Sequence, residues 1–312
     1  MIDWLISCIR GMIEGSVHRR TGKDYDLKGF NDLCWLAGHK DLKHPDIPFS
    51  YDNYTKETYL KAVEGAVERI DDKNDCADFT ALKLMDLAIE SKDFLLQNPD
   101  VLKRIEKCLT GFSFWITDSK KDSMCYYSEN HQICFATVEY LSGVLFPKAQ
   151  FACDGLRGSD HEKRALERMK IWFSLRREFG FSEFLSNNYL PIDVGALSVL
   201  LLHGEKSIAD MAREALDRLL WYYATCSFKG TFINASGRDY PGNLAGTKER
   251  SLNSDIVLSV AFGDPEKYLY ERERSGAFFV KAVLKGAYRV PEETKKRVRE
   301  NIDEVLHFGL DT

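Results

Sequence analysis

The residues best suited to chemistry stand directly before an apolar helical run in the stretch DSMCYYSENHQICFATVEYLSG, Asp122 to Gly143. An amide can hydrogen-bond the carboxyl group of an acidic substrate, and a histidine, which titrates near neutral pH, can take a proton from it. Asn130 and His131 therefore form a candidate catalytic pair, although a histidine at a helix start can also simply cap the helix or satisfy a buried group. The neighbouring side chains would contact the substrate: Tyr126, Tyr127, Glu129 and Gln132.

A second polar stretch, NASGRDYPGN, covers residues 234–243 and combines glycines with charged and phenolic groups. The Arg238 guanidinium can hold a carboxylate, and the Tyr240 phenol two positions later can supply or remove a proton. The alternative is a turn that carries an ordinary surface arginine.

Two further stretches carry acids and amides. In DDKNDCADFTALKL, Asp75 and Asp78 stand at a helix start, where capping and the helix dipole explain acidic residues well. The alternative is a glycosidase-type acid that works with Glu129 or Asp239. In GFSEFLSNNYLP, the side chains suit hydroxyl-rich ligands, and a helix connection capped by asparagines explains them equally well: Glu183, Asn187, Asn188 and Tyr189.

Helical periodicity dominates the elements that must position these residues. Apolar residues at spacings of three and four predict helices over residues 130–146 and 192–204 and about eight other stretches, and no alternating strand is found. Short connections alternate with long polar loops, as in stacked antiparallel helical hairpins. The sequence predicts an all-α fold in one domain, residues 1–312.

Composition narrows the functional class. The chain has 312 residues and a formal net charge of −5, with no arginine-rich face, so nucleic acid is not an expected partner. No stretch approaches the length of a membrane span, and the N-terminal run lacks a secretory cleavage site, so a cytoplasmic protein is expected. The eight cysteines are scattered and unpaired in sequence, which predicts buried free thiols with no bound metal. No cofactor motif is present.

The helical array, the Asn130–His131 pair and the later Arg238–Tyr240 loop together resemble the (α/α)-toroid fold of many polysaccharide lyases and several glycoside hydrolases. The segments DCADF, DSMCYYSENHQI and GFSEFLSNNYLP also resemble parts of large bacterial proteins of uncharacterised function. The resemblance implies a complete or incomplete toroid. It further implies that Asn130 neutralises a substrate carboxylate, His131 is the base, Tyr240 the acid and Arg238 the charge clamp. The chain departs from that pattern at Ser236, where a histidine would precede Gly237 and Arg238.

Three functions follow as hypotheses. The first is a lyase that cleaves an acidic polysaccharide by β-elimination, with the poly- or oligosaccharide as its partner. The second is a glycoside hydrolase with paired carboxylates on the same scaffold. The third is a non-catalytic helical scaffold that binds a glycan or a protein. The sequence leaves the sugar, the linkage and the oligomeric state open.

Overall fold

The computed structural model describes residues 23–40, 42–118, 122, 124–228, 231–232, 236–238 and 253–299. The chain divides into two compact units, Met1–Arg168 and Met169–Thr312. The description below takes each unit by itself. The prediction of one domain over residues 1–312 stays a prediction.

The first unit is built from α-helices joined by loops. In chain order they are α1 (Lys28–Gly38), α2 (Lys56–Asp71), α3 (Ala77–Glu90), α4 (Lys92–Gln97), α5 (Pro99–Gly111) and α6 (Glu129–Leu145), with a 3₁₀ turn at Tyr51–Asn53. Helix α7 (Gly158–Phe179) begins in this unit, and the boundary between the units falls inside it.

Local sequence explains where several of these helices start. Thr55 caps α2 through a capping box, in which the Thr55 and Thr58 side chains each accept a backbone N–H from the other residue. Pro99 opens α5, where its missing N–H costs nothing.

In the first unit, helix α3 packs extensively against α6. Ten of the fourteen residues of α3 are buried, among them Leu84, Met85 and Leu87. Helix α6 is also buried on most of its faces, so its polar residues must find partners inside the protein.

Gly143 allows α6 to approach the start of α7 very closely. A Cβ at this position would lie 2.5 Å from the Gly158 carbonyl oxygen and 2.6 Å from the Glu162 backbone nitrogen. Any larger residue would push the helices apart. This approach brings Glu139, one turn earlier on α6, against the first turn of α7.

The second unit is organised around α8 (Leu190–His203), which is buried along almost its whole length. It packs against α9 (Lys206–Thr225), α10 (Asn253–Phe262) and α11 (Gly276–Leu284). A 3₁₀ turn at Pro265–Tyr268 follows α10, and α12 (Glu292–Arg297) is the last described helix.

The prediction of an all-α protein is confirmed for the described residues, with one small exception. Two-residue strands, β1 (Ser227–Phe228) and β2 (Thr231–Phe232), pair antiparallel with Ser227 opposite Phe232. No helix among the described residues combines the length and the apolar character that crossing a membrane requires.

Candidate functional site

The turn before α3 holds a cysteine in an unusual backbone conformation. Cys76 is the N-cap residue of α3 and has φ 61° and ψ 21°, in the left-handed region. A non-glycine residue there is uncommon, and the surrounding turn must hold it. Two contacts do so: the Ala77 backbone N–H donates to the Asn74 carbonyl at 3.0 Å, and the Arg69 guanidinium donates to the Asp75 carbonyl, also at 3.0 Å.

The N-cap residue of α3, Cys76, makes no capping hydrogen bond through its side chain. Capping was the favoured explanation for Asp75 and Asp78, and the structure also gives Asp78 a partner on another helix. Its side chain is fully buried, and its Oδ2 lies 2.7 Å from the His131 Nδ1. Of Asp75 the structure shows the carbonyl contact with Arg69.

His131 lies in the first turn of α6, where the helix was predicted to begin. Its ring stacks on Phe79 at a centroid distance of 4.7 Å and an interplanar angle of 14°, and only 6% of the residue is exposed. Asn130 and Glu129 are buried beside it, and the Asn130 amide donates to the Ser128 hydroxyl at 3.3 Å. Packing of α3 on α6 therefore fixes the imidazole against the Asp78 carboxylate.

The ring of His131 also has Cys76 as a neighbour, which contributes to the raised pKa of His131. We call Cys76, His131 and Asp78 the Cys76 cluster. Burial works against a charged imidazole, but the Asp78 carboxylate outweighs it through its charge and its hydrogen bond. With the added effect of Cys76, the pKa of His131 rises to about 11. Burial in turn raises the pKa of Asp78. The pair therefore retains a proton at neutral pH.

This retained proton determines what the cluster can do. A general base must be deprotonated at the working pH, and His131 in its resting state is not. An imidazolium beside a thiol at the start of a helix instead matches the surroundings of nucleophilic cysteines. Cys76 is partly exposed, whereas His131 and Asp78 lie behind it in the interior.

The tyrosines predicted to contact substrate lie in different surroundings. Tyr126 is buried, donates its hydroxyl proton to the Asp122 carboxylate at 2.7 Å and stacks on Phe135. Tyr127 is 54% exposed, and the Gln132 amide donates to its carbonyl at 2.9 Å. Tyr127 is therefore the member of this pair that an external ligand can reach.

In the second unit, two of the predicted loops meet. Arg238 donates to the Glu183 carboxylate at 3.0 Å, and its guanidinium lies 4.0 Å above the centre of the Tyr189 ring. We call these three residues the Arg238 cluster. Asn187 is buried and accepts a hydrogen bond from the Ser254 hydroxyl at 2.8 Å, while the Asn188 backbone N–H donates to the Ser186 hydroxyl at 3.3 Å. Asp239 and Tyr240 lie outside the described residues.

A second group of charges in the first unit, which is only partly buried, escaped sequence analysis. It consists of Asp118, Glu139, Asp154, His161, Arg164 and Arg168, and we call it the His161 network. A glutamate in the middle of an otherwise apolar helical run is the signal that could have revealed it. Cys76 had a comparable signal, because a cysteine directly precedes an acidic helix start.

One set of side chains among the described residues of the first unit has the donor types and spacing of a metal site: Cys153, Asp154 and His161. No family model matches the chain, and comparison with curated proteins and with solved structures likewise finds no match.

Proposed function

We propose that the chain is a cysteine-dependent acyl-transfer enzyme, with Cys76 as nucleophile, His131 as proton donor and acceptor, and Asp78 as the group that orients and charges His131. One observation carries the proposal: at the start of α3 the partly exposed Cys76 lies near the His131 ring, whose Nδ1 is 2.7 Å from the buried Asp78 Oδ2. Nucleophile, base and orienting acid in that order define the catalytic triad.

The reaction follows from the protonation states. The Cys76 sulfur, as a thiolate, attacks the carbonyl carbon of an ester, thioester or amide, and the His131 imidazolium gives its proton to the leaving group as the carbonyl–heteroatom bond breaks. The product of this half is an acyl thioester on Cys76. Water or an acceptor alcohol or amine then attacks the thioester and gives its proton to His131, which releases the acyl group and restores the enzyme.

Three other cysteines are poorer candidates for this role. Cys108 and Cys134 are buried, and burial holds the pKa of the Cys108 thiol well above its usual range. Burial also raises the pKa of the Cys226 thiol. A thiol that keeps its proton is a weak nucleophile. Cys76 combines partial exposure with a cationic neighbour.

The direct test is acylation with an activated ester, p-nitrophenyl acetate, followed by mass spectrometry of the peptide that contains Cys76. We expect an initial burst of p-nitrophenolate and an acetyl group on Cys76. Cys76→Ala should abolish both, and His131→Ala should slow acylation by about 10²- to 10⁴-fold.

Cys226→Ala is the matched control, because that thiol is also partly exposed, and burial, with no histidine among the described residues, shifts its pKa. Acetylation spread over several cysteines, or a burst that survives in folded Cys76→Ala, would overturn the proposal. Circular dichroism of each variant reports whether the helices are intact.

The polysaccharide lyase stands as a second candidate, supported by the Arg238 cluster. A guanidinium stacked on a tyrosine and paired with a carboxylate is a suitable surface for an acidic sugar. In this proposal the helices form a complete or incomplete (α/α)-toroid, Asn130 neutralises the uronate carboxylate and Tyr240 transfers protons. The retained proton on His131 favours a role in charge stabilisation over that of the base.

Two variants separate the candidates when uronate-containing polysaccharides are offered and the absorbance of unsaturated products is followed. A lyase loses activity in Arg238→Ala and keeps it in Cys76→Ala, and a thiol enzyme shows the reverse. The glycoside hydrolase is less favoured because Asp78 is fully buried and bound by His131. A glycan-binding scaffold would bind the polysaccharide without turnover. A reducing compartment such as the cytoplasm would suit a working thiol.

A further inference from the structure

A tight loop brings two potential metal ligands beside the first turn of α7. The Phe151 N–H donates to the Leu156 carbonyl and the Gly155 N–H donates to the Phe151 carbonyl, both at 2.8 Å, while Gly155 takes the left-handed conformation at φ 83°. Cys153 and Asp154 lie at the turn of this loop. His161, the third ligand, is fully buried in the helix that follows.

Both ring nitrogens of His161 face carboxylate oxygens. Nδ1 lies 2.9 Å from the Glu139 Oε1, and Nε2 lies 3.0 Å from the Asp154 Oδ1. A neutral imidazole has one N–H, so one nitrogen must turn a lone pair towards an anion. When Nδ1–H donates to Glu139, the lone pair of Nε2 points at Asp154, and either a second proton or a cation must lie between them.

The other tautomer does not remove this conflict. Nε2–H would then donate to Asp154, and Nδ1 could accept from the Arg164 Nη2, which lies 3.2 Å away. Nδ1 would still face the Glu139 oxygen at 2.9 Å. Two acceptors at that distance repel each other, so the arrangement favours a hydrogen on Nδ1 and a positive species at Nε2.

The charges of the His161 network fit the same conclusion. Three carboxylates (Asp118, Glu139, Asp154) face two guanidiniums (Arg164, Arg168), which leaves one excess negative charge. A Cys153 thiolate would add a second. A divalent cation neutralises both, whereas without a cation a thiol and an imidazolium are needed for balance.

We propose that Cys153 Sγ, Asp154 Oδ1 and His161 Nε2 bind a zinc ion. One possible ligand atom of each of these residues lies within 4.8 Å of those of the other two. Glu139 would be the buried carboxylate that orients a zinc-bound histidine through its other nitrogen, an arrangement common in zinc proteins. The Arg164 Nη1 holds the second oxygen of Asp154 at 2.8 Å, so Asp154 binds the ion through one oxygen.

The donor set selects the metal class. Thiolate and imidazole suit zinc, while magnesium and calcium take oxygen ligands. Binding replaces the Cys153 thiol proton, which is released to solvent, and water takes the fourth position. The ion ties the loop over residues 150–157 to α7, and the site is separate from the Cys76 cluster in sequence and in ligands.

The test is metal analysis of the full chain after removal of any affinity tag, followed by titration of the metal-free protein with cobalt chloride. We expect one zinc per chain in the purified protein. Cobalt should give the near-ultraviolet charge-transfer band of a thiolate–cobalt bond, and excess zinc should displace it. Zinc should also raise the melting temperature of the metal-free protein.

Cys153→Ser and Asp154→Asn are the informative variants, because both residues lie at the surface loop and their replacement leaves the buried partners in place. Each should lose the bound zinc and weaken binding at least about 10-fold, as the loss of a direct ligand requires. Cys226→Ser is the matched control and should keep the charge-transfer band.

Three outcomes overturn the proposal. The first is a chain that binds no zinc or cobalt at micromolar concentrations. The second is a charge-transfer band that survives in Cys153→Ser. The third is a band lost in Cys76→Ser but kept in Cys153→Ser, which would place the metal on the Cys76 cluster.

Discussion

The first unit contains two buried histidines that begin from the same arrangement. Each lies in the first turn of its helix, and in each the Nδ1 atom faces a fully buried carboxylate, Asp78 at 2.7 Å from His131 and Glu139 at 2.9 Å from His161. Each imidazole also stacks on a phenylalanine ring. In both sites, therefore, a buried histidine faces a buried carboxylate and stacks on a phenylalanine ring.

The two sites differ in the groups around the imidazole ring. His131 has Cys76 as a further neighbour, and the Asp78 charge raises its pKa to about 11. His161 faces a second carboxylate and two guanidiniums that compete for the same anions. Burial lowers the pKa of His161, although Asp154 acts in the opposite direction. The pKa of the histidine that faces a single carboxylate is raised, whereas the pKa of the histidine whose carboxylates are shared with guanidiniums is lowered.

The largest loss of stability is expected when Glu139, the carboxylate that faces both His161 and the two guanidiniums, loses its charge. Glu139→Gln keeps the shape of the side chain but removes the charge that faces Arg164 and Arg168, so two guanidiniums lose their buried counter-ion. Breaking such a buried pair costs about 3–5 kcal/mol. Urea unfolding measures this loss.

The exposed Glu64 provides the control for that substitution. Glu64→Gln should change the free energy of unfolding by less than about 0.5 kcal/mol, as is usual at surface positions. Equal effects of the two substitutions would show that the His161 network contributes nothing to stability.

The next largest loss of stability is expected at Asp78, the carboxylate that faces His131. Asp78→Asn keeps a hydrogen-bond acceptor for His131 but removes the charge, and the free energy of unfolding at neutral pH should fall by about 1.5–3 kcal/mol. Because the pKa of His131 in the folded protein, about 11, lies above the ordinary value of 6.5, its proton stabilises the wild type fully below pH 6.5. That stabilisation is lost as the pH rises towards 11.

The pH dependence distinguishes a lost charge from a mere packing defect. The difference in stability between wild type and Asp78→Asn should shrink steadily from neutral to alkaline pH, and taking this difference cancels the titration of lysines and tyrosines elsewhere. A difference that stays constant over that range would mean that His131 is not held as a cation.

Sequence periodicity was sufficient to predict α6, which carries His131 and Glu139, and α8 of the second unit. The helix predicted over residues 130–146 spans Glu129–Leu145, and that predicted over 192–204 spans Leu190–His203. The spacing of apolar residues indicates which face of a segment is buried, and this is enough to predict that the segment is a helix. It does not report which polar groups meet across the interface.

The pairing of residues distant in sequence was therefore missed. Asp78 and His131 were each singled out, but they are 53 positions apart, and their contact depends on how α3 packs on α6. Cys76 directly precedes an acidic helix start, but nothing in the sequence indicates its left-handed conformation or its position near His131. Glu139 was overlooked because it stands within the apolar stripe that predicted its helix.

A smaller effect tests whether the nucleophile position is strained. Cys76→Gly and Cys76→Ala both remove the thiol, but only glycine adopts φ 61° without a penalty. The glycine variant should be more stable than the alanine variant by about 1 kcal/mol, the usual cost of a left-handed residue that carries a Cβ. Thermal unfolding compares the two directly. If alanine is the more stable, the turn before α3 is relaxed.

The smallest predicted effect tests whether burial, and not the presence of an ion pair, separates these sites from the rest of the unit. Arg104 donates to the Asp71 carboxylate at 2.8 Å, a distance close to those in the His161 network. The two side chains are 40% and 43% exposed, however, so water and salt screen their attraction.

Asp71→Asn should therefore lower the free energy of unfolding by only about 0.5 kcal/mol, and this small loss should disappear in high salt. Glu139→Gln should keep most of its cost under the same conditions, because the Glu139 side chain is fully buried. If both substitutions respond equally to salt, the His161 network is accessible to solvent, and burial does not separate Glu139 from Asp71.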